Sequence, residues 1–148
     1  MLLGTYYGVL SPKRRLAVPS SFRKILGEKC IIAKWYEECL ILVSVDDWDA
    51  LLKRLTAKTE TITGAVRDTD RFILGSAFEL SFDEQGRAVI PEILAKYAGF
   101  SDTVAFLGLG SRVEVWDRKK WEEREREISK NASSLLEKIA KDSRDGSS

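Results

Sequence analysis

The sequence predicts an α+β fold, mainly β, built from two tandem copies of one unit. Sliding the 148-residue chain on itself by 72 places Arg15 on Arg87, Val18 on Ile90, Pro19 on Pro91, Phe22 on Leu94, Lys24 on Lys96 and Gly27 on Gly99. A shift of 73 then sets Leu42 on Val115, Ser44 on Asp117 and Trp48 on Trp121. Within each copy, short alternating or β-branched runs are separated by polar loops, and only brief stretches carry the spacing of a helix.

Thr5 to Leu10 and Phe78 to Phe82 alternate in character, so each is read as a strand running into a polar loop that ends at the shared arginine. After Leu16 to Val18, and after Ala88 to Ile90, a proline stands where its fixed φ and missing N–H suit the first turn of a helix; a glycine eight residues on stops it. The helix buries Phe22, Ile25 and Leu26 in one copy and Leu94, Tyr97 and Ala98 in the other. A hairpin follows: KCIIAKW and CLILVSV flank Tyr36-Glu37-Glu38, and TVAFLGL and RVEVW flank Gly108 to Ser111. The first register sets Cys39 near Trp35 and Cys30 near Ser44, which keeps the two thiols apart. Ser44 with Asp47, and Asp117 in the second copy, read as N-caps of further helices, the first striped by Trp48, Leu51, Leu52 and Leu55.

TAKTETITG is a polar connection, and Val66, Ile73 and Leu74 mark a short bridging helix stopped at Gly75. The last helix carries Trp121, Ile128, Leu135 and Ile139 at heptad-like intervals, for docking on the body or on a neighbouring subunit. KDSRDGSS reads as a mobile tail. The expected divisions are therefore 1–55, the first repeat with its helix; 56–76, the linker and bridge; 77–140, the second repeat with its C-terminal helix; and 141–148, the tail.

Composition removes several classes of function. The start MLLGTYYG has no basic-then-apolar targeting pattern and no apolar run approaches the ~20 residues of a bilayer span, so a soluble, intracellular protein without membrane contact is expected. Two cysteines without any histidine fall short of a zinc set and remove the usual general base, so neither metal, cofactor nor catalysis is expected. P-loop, dinucleotide and nucleophile-elbow patterns are absent, which leaves no small-molecule substrate to propose. Asp83 and Glu84 read as solvated loop acids, and Trp48 and Trp121 as core anchors.

Net charge is only +1, but its distribution is uneven. Residues 11–34 set Lys13, Arg14, Arg15, Arg23, Lys24, Lys29 and Lys34 against Glu28 alone, a window of +6. The equivalent residues 83–106 set Arg87 and Lys96 against Asp83, Glu84, Glu92 and Asp102, a window of −2. One reading is an ordinary solvated turn. The other is a polyanion surface in the first copy, with Lys13, Arg14, Arg15, Arg23, Lys24 and, from the second copy, Arg87 as candidate DNA contacts, arginine forks being suited to phosphates and guanine edges.

Two loop-arginine units, each leading to a strand, a proline-started helix and a hairpin, resemble the tandem AbrB-like repeats of the MraZ family; MLLGTYYG, RFILGSAFEL and VEVWDRKKWEE extend the resemblance from Leu2 to about Ile139. The family's D-x-x-x-R loop is matched by Asp83 and Arg87, with Asp83 orienting the arginine. SPKRR departs from it, with Ser11 for the aspartate and Arg14 for the usual glycine, while Arg15 still matches. Loss of the carboxylate removes a partner that would hold Arg15. The resemblance implies a swapped-hairpin, pseudo-dimeric β-barrel with peripheral helices. It also implies a ring-shaped homo-oligomer and a nucleoid-associated, cytoplasmic regulator that binds double-stranded DNA at repeated promoter elements of the division and cell-wall gene cluster. A protein-interaction scaffold and an AbrB-like antitoxin are the alternatives. An antitoxin needs a longer, more apolar tail than KDSRDGSS.

Overall fold

The computed structural model describes residues 1–56 and 63–144. Residues 57–62 of the expected polar connection 56–64, and residues 145–148 of the expected tail 141–148, lie outside the described residues; residues 141–144 of that tail are helical instead. In the first repeat, strand β1 (Leu2–Val9) leads to β2 (Arg15–Ala17), helix α1 (Ser20–Leu26), β3 (Lys29–Lys34), a 3-10 turn at Tyr36–Glu38, β4 (Leu40–Ser44) and α2 (Val45–Thr56). The second runs through β5 (Phe78–Ser81), β6 (Arg87–Val89), α4 (Glu92–Tyr97), β7 (Thr103–Gly110), β8 (Val113–Asp117) and α5 (Arg118–Lys130). Between them stands α3 (Gly64–Ile73), and after them α6 (Ala132–Arg144). The unit Met1–Arg118 contains the sheets and the cluster of buried residues that forms the core; Lys119–Ser148 is a separate unit.

The repeats are interleaved. A six-stranded antiparallel sheet has the order β1-β7-β8-β4-β3-β5, so the first strand of each repeat pairs with the third strand of the other. A second, two-stranded sheet joins β2 to β6. This is the swapped arrangement that the family resemblance implies, with the approximate dyad between β4 and β8. Among the described residues the two sheets do not close into one continuous ladder. The edges β1 and β5 do not pair with each other; each is tied to the short β2–β6 ribbon only at its loop, through the Leu10–Leu16 bridge and the 2.9 Å bond from the Asp83 N–H to the Arg87 carbonyl. Three-residue strands are too short to carry a continuous ladder past that turn.

The core joins both repeats: Leu16, Phe22, Leu26, Leu42, Ile90, Leu94, Phe106 and Val115 are almost wholly buried together. Pro19 and Pro91 start α1 and α4 as their N-caps, one position ahead of the first turn in which the sequence reading places them. Ile25 departs from expectation, being 44% exposed, because a seven-residue helix presents only one turn's face, Phe22 and Leu26, to the sheet. Cys30 pairs with Ser44 and the Cys39 carbonyl accepts from the Trp35 N–H at 2.9 Å, so the thiols are free, apart and buried. Burial pushes Cys30 up to about 12 and, with the charges of Glu114 and Glu37, raises Cys39 further, which keeps both in the unreactive thiol form.

Ser44 Oγ accepts the Asp47 N–H at 3.1 Å as a cap of α2, whereas the Asp117 carboxylate accepts the backbone N–H and hydroxyl of Ser101 at 3.0 and 2.9 Å. The bridge α3 begins on Thr63, whose hydroxyl accepts from Val66, and touches both repeats: Phe72 meets Tyr36 and Tyr97, and Ser76 Oγ accepts the Lys34 N–H. Ile73 is buried there, but Leu74 is 45% exposed because the chain leaves the α-helix for a 3-10 turn. The single last helix of the sequence reading is two helices, which meet at Asn131; Trp121 is buried, while Ile128, Leu135 and Ile139 are exposed.

Candidate nucleic-acid interface

The site is organised by the β2–β6 ribbon. Its register sets Arg15 opposite Val89, Leu16 opposite Ala88 and Ala17 opposite Arg87. Leu16 and Ala88 point into the core, so by strand alternation Arg15, Ala17, Arg87 and Val89 share the outward face. Arg15 and Arg87 are diagonal neighbours on it, roughly 7–8 Å apart at their α-carbons.

Each arginine leaves a four-residue loop of the same design. In the second loop, the Gly86 N–H donates to the Asp83 carbonyl and the Asp83 N–H to the Arg87 carbonyl, both at 2.9 Å; Gly86 has φ +76. Asp83 Oδ1 accepts the N–H groups of Gln85 and Arg87 at 2.9 Å, and its Oδ2 accepts Arg87 Nε at 3.1 Å. The Arg87 backbone N–H, then the Gln85 N–H and the guanidinium, hold the Asp83 carboxyl below its ordinary range. Arg87 is thus oriented by its own loop, with its side chain still 42% exposed.

The first loop keeps the backbone and drops the ion pair. Arg14 N–H donates to the Ser11 carbonyl at 2.8 Å and Ser11 N–H to the Arg15 carbonyl at 3.0 Å. Ser11 Oγ takes the Arg15 N–H at 3.0 Å, the acceptor role that Asp83 Oδ1 has for Arg87. A hydroxyl has no second oxygen for the guanidinium, and the exposed Arg15 side chain has no partner among the described residues, as the missing carboxylate led us to expect. Lys13 is likewise exposed and without a side-chain partner among the described residues.

The remaining candidates fall elsewhere. Arg14, with φ 60, sends its Nε to the Ile90 carbonyl at 2.9 Å, while Ile90 N–H returns a bond to the Arg14 carbonyl at 2.8 Å. Arg23 sends its Nε to the Val18 carbonyl at 3.0 Å and lies over Gly86, where any β-carbon would run into its guanidinium. Arg23 and Lys24 line a cleft with Asp83 and Glu84 of the second loop; Arg14 lines another with Glu92, Lys96 and Asp102. Interleaving therefore sets the cationic helix of one repeat beside the acidic loop of the other, and the +6 and −2 of the linear windows do not persist as two opposed patches. The sequence reading could not find these cross-repeat neighbours without the strand pairing. Among the described residues no cluster of metal-ligating side chains occurs, and no helix is long and apolar enough to cross a membrane.

Comparison with known proteins gives the same assignment as the loops. The family described as "MraZ protein, putative antitoxin-like" matches residues 73–143. The chain is 39% identical over 140 residues to the transcriptional regulator MraZ of Acetivibrio thermocellus, covering 95% of this chain and 97% of that one. It is 37% identical to the same regulator of Syntrophomonas wolfei over 95% and 94% of the two chains, and 38% identical to that of Clostridium tetani over 83% and 86%. The solution structure of PHS018 from Pyrococcus horikoshii is 16% identical with a TM-score of 0.30, covering 78% of this chain and 88% of that one, a likeness too distant to bear on the fold. The chain belongs to the MraZ family, whose members are transcriptional regulators and not enzymes.

Proposed function

We propose that this regulator binds double-stranded DNA through the outward face of the β2–β6 ribbon and reads repeated promoter elements of the division and cell-wall gene cluster as a ring-shaped homo-oligomer. The observation that carries this reading is the emergence of Arg15 and Arg87 side by side on one two-stranded ribbon, an element narrow enough for a major groove about 12 Å wide. Arg15, unpaired among the described residues, and Lys13 supply cations for phosphates; Arg87, aimed by Asp83, is suited to a guanine edge. Lys24, Arg23 and Arg14 contribute to the positive field around these loops. A single ribbon offers few contacts, so several copies on successive promoter repeats supply the affinity through effective concentration. The working location is the cytoplasm, at the nucleoid.

A mobility-shift titration on the protein's own upstream DNA at two salt concentrations tests the proposal. The logarithm of the binding constant should fall linearly with the logarithm of salt concentration, with a slope of about −0.9 per phosphate neutralised. Retention of no duplex at low salt, by protein shown to be folded, would overturn it. Asp83→Ser converts the second loop to the chemistry of the first, with a hydroxyl left to accept the Arg87 backbone N–H and the Arg87 guanidinium freed. Binding to unrelated duplex is expected to rise several-fold with a steeper salt slope, and preference for the upstream sequence to shrink.

A further inference from the structure

The two loops are held by one device built in two ways. Sequence equivalence by 72 relates Val18 to Ile90, Arg14 to Gly86 and Arg23 to Ala95. At the second loop, Gly86 leaves a gap, and Arg23 of α1 fills it, its Nε on the Val18 carbonyl. At the first loop the helix position is Ala95, too short to reach, and the loop supplies the arginine itself: Arg14 Nε lies on the Ile90 carbonyl, the equivalent acceptor. Backbone bonds complete each lock across the repeats, Val18 N–H to Gly86 carbonyl at 3.2 Å and Ile90 N–H to Arg14 carbonyl at 2.8 Å. A small residue on one side, Gly86 or Ala95, is paired with an arginine on the other in both places, with the sides exchanged.

We propose that Arg14 and Arg23 are positioning residues, one guanidinium per loop, that lock the loops carrying Arg15 and Arg87 against the residue ahead of each helix-starting proline, and that neither supplies a phosphate or base contact. The acceptor explains the side-chain choice: a carbonyl already pointing out of a short strand takes a single, well-directed N–H, and arginine's Nε lies at a fixed distance along a planar fork, which lysine does not reproduce. Placing arginine at position 14 has a cost, because a side chain at φ 60 is disfavoured where glycine is not. That cost makes sense only if the guanidinium is needed there, Ala95 having none to offer. The first loop thereby keeps its shape although it lacks both the glycine and the carboxylate that shape the second.

The proposal rests on the DNA reading for its functional half and stands apart from it for its structural half, so the test has two arms. Arg14→Gly, Ala95→Arg and the double variant are compared with the unmodified chain. Hydrogen exchange at the Ile90 amide reads the lock without DNA: it should quicken in Arg14→Gly, where glycine itself relieves the backbone, and slow again in the double variant. Duplex affinity at 25 °C should fall about tenfold in Arg14→Gly at an unchanged salt slope, since no phosphate contact is lost, and return to within about twofold in the double variant. A slope reduced by about one with no recovery would make Arg14 a direct phosphate contact and overturn the proposal. Unaltered Ile90 exchange in Arg14→Gly would show that there is no lock. Normal affinity alongside quickened exchange would reduce Arg14 to a structural residue that does not position Arg15. If the unmodified chain retains no duplex, the DNA reading fails, and the exchange arm still decides whether the lock exists.

Discussion

Arg15→Ala is expected to weaken binding to every duplex, promoter or unrelated, by about tenfold, ~1.4 kcal/mol, for each engaged subunit, and to reduce the salt slope by about one per lost contact. The reason lies in a difference between loops whose backbones match. Arg15 has its N–H secured by Ser11 and its guanidinium exposed without a partner among the described residues, so its whole charge is free to meet phosphate. Arg87 has both its N–H and its Nε secured by Asp83, whose lowered carboxyl stays ionised at any physiological pH. Arg87→Ala should therefore cost less on unrelated duplex and act instead on discrimination, erasing the preference for the upstream sequence. The sign of the pH dependence follows: a carboxyl held low in the folded loop contributes its ordering above its unfolded range and loses it as pH falls through the lowered value. Selectivity that depends on Asp83 should be flat from neutral pH down to that point. A quantitative titration of single and double variants on two duplexes checks all of this, and equal losses for Arg15→Ala and Arg87→Ala on both duplexes would contradict it.

Local chemistry made much of this fold legible in the sequence, and non-local pairing concealed the rest. The proline ahead of each short helix, the Ser44 cap and the opposition of Cys30 to Ser44 and of Cys39 to Trp35 all depend on residues within a few positions or on one hairpin register, and each was readable. Repeat equivalence showed that two copies exist, but not that β1 crosses to β7 and β5 to β3, because a strand's edge carries no label for its partner. The charge windows misled for the same reason: Arg23 is near Arg15 in the chain, yet its guanidinium covers Gly86 in the other repeat. Ser11 was readable as a lost carboxylate. That its hydroxyl still accepts the Arg15 N–H required the loop's coordinates.

Gly108→Val is expected to cost upward of about 3 kcal/mol and to leave the chain largely unable to hold its swapped sheet, because what stands in the way is backbone. Gly108 faces Gly4 in the β1–β7 ladder, and a β-carbon there would lie 2.5 Å from the Leu3 nitrogen and 2.8 Å from the Leu2 carbonyl carbon. A flexible side chain gives way at little cost; a strand bonded along its length moves only by breaking its ladder, here eight registered pairs from Leu2–Gly110 to Val9–Thr103. β1 also anchors Leu2, 1% exposed in the shared core, and runs directly into the loop that ends at Arg15. Its displacement should therefore lower the unfolding midpoint and disorder the first loop together. Gly75→Ala is the matched comparison, since a β-carbon at that glycine meets nothing within 4 Å, and the substitution should change the unfolding free energy by no more than about 0.5 kcal/mol. Denaturant unfolding of the two variants beside the unmodified chain measures the difference. A Gly108→Val protein as stable as Gly75→Ala would mean that β1 is not held against β7 as described, and would undo the interleaving on which the common face of Arg15 and Arg87 depends.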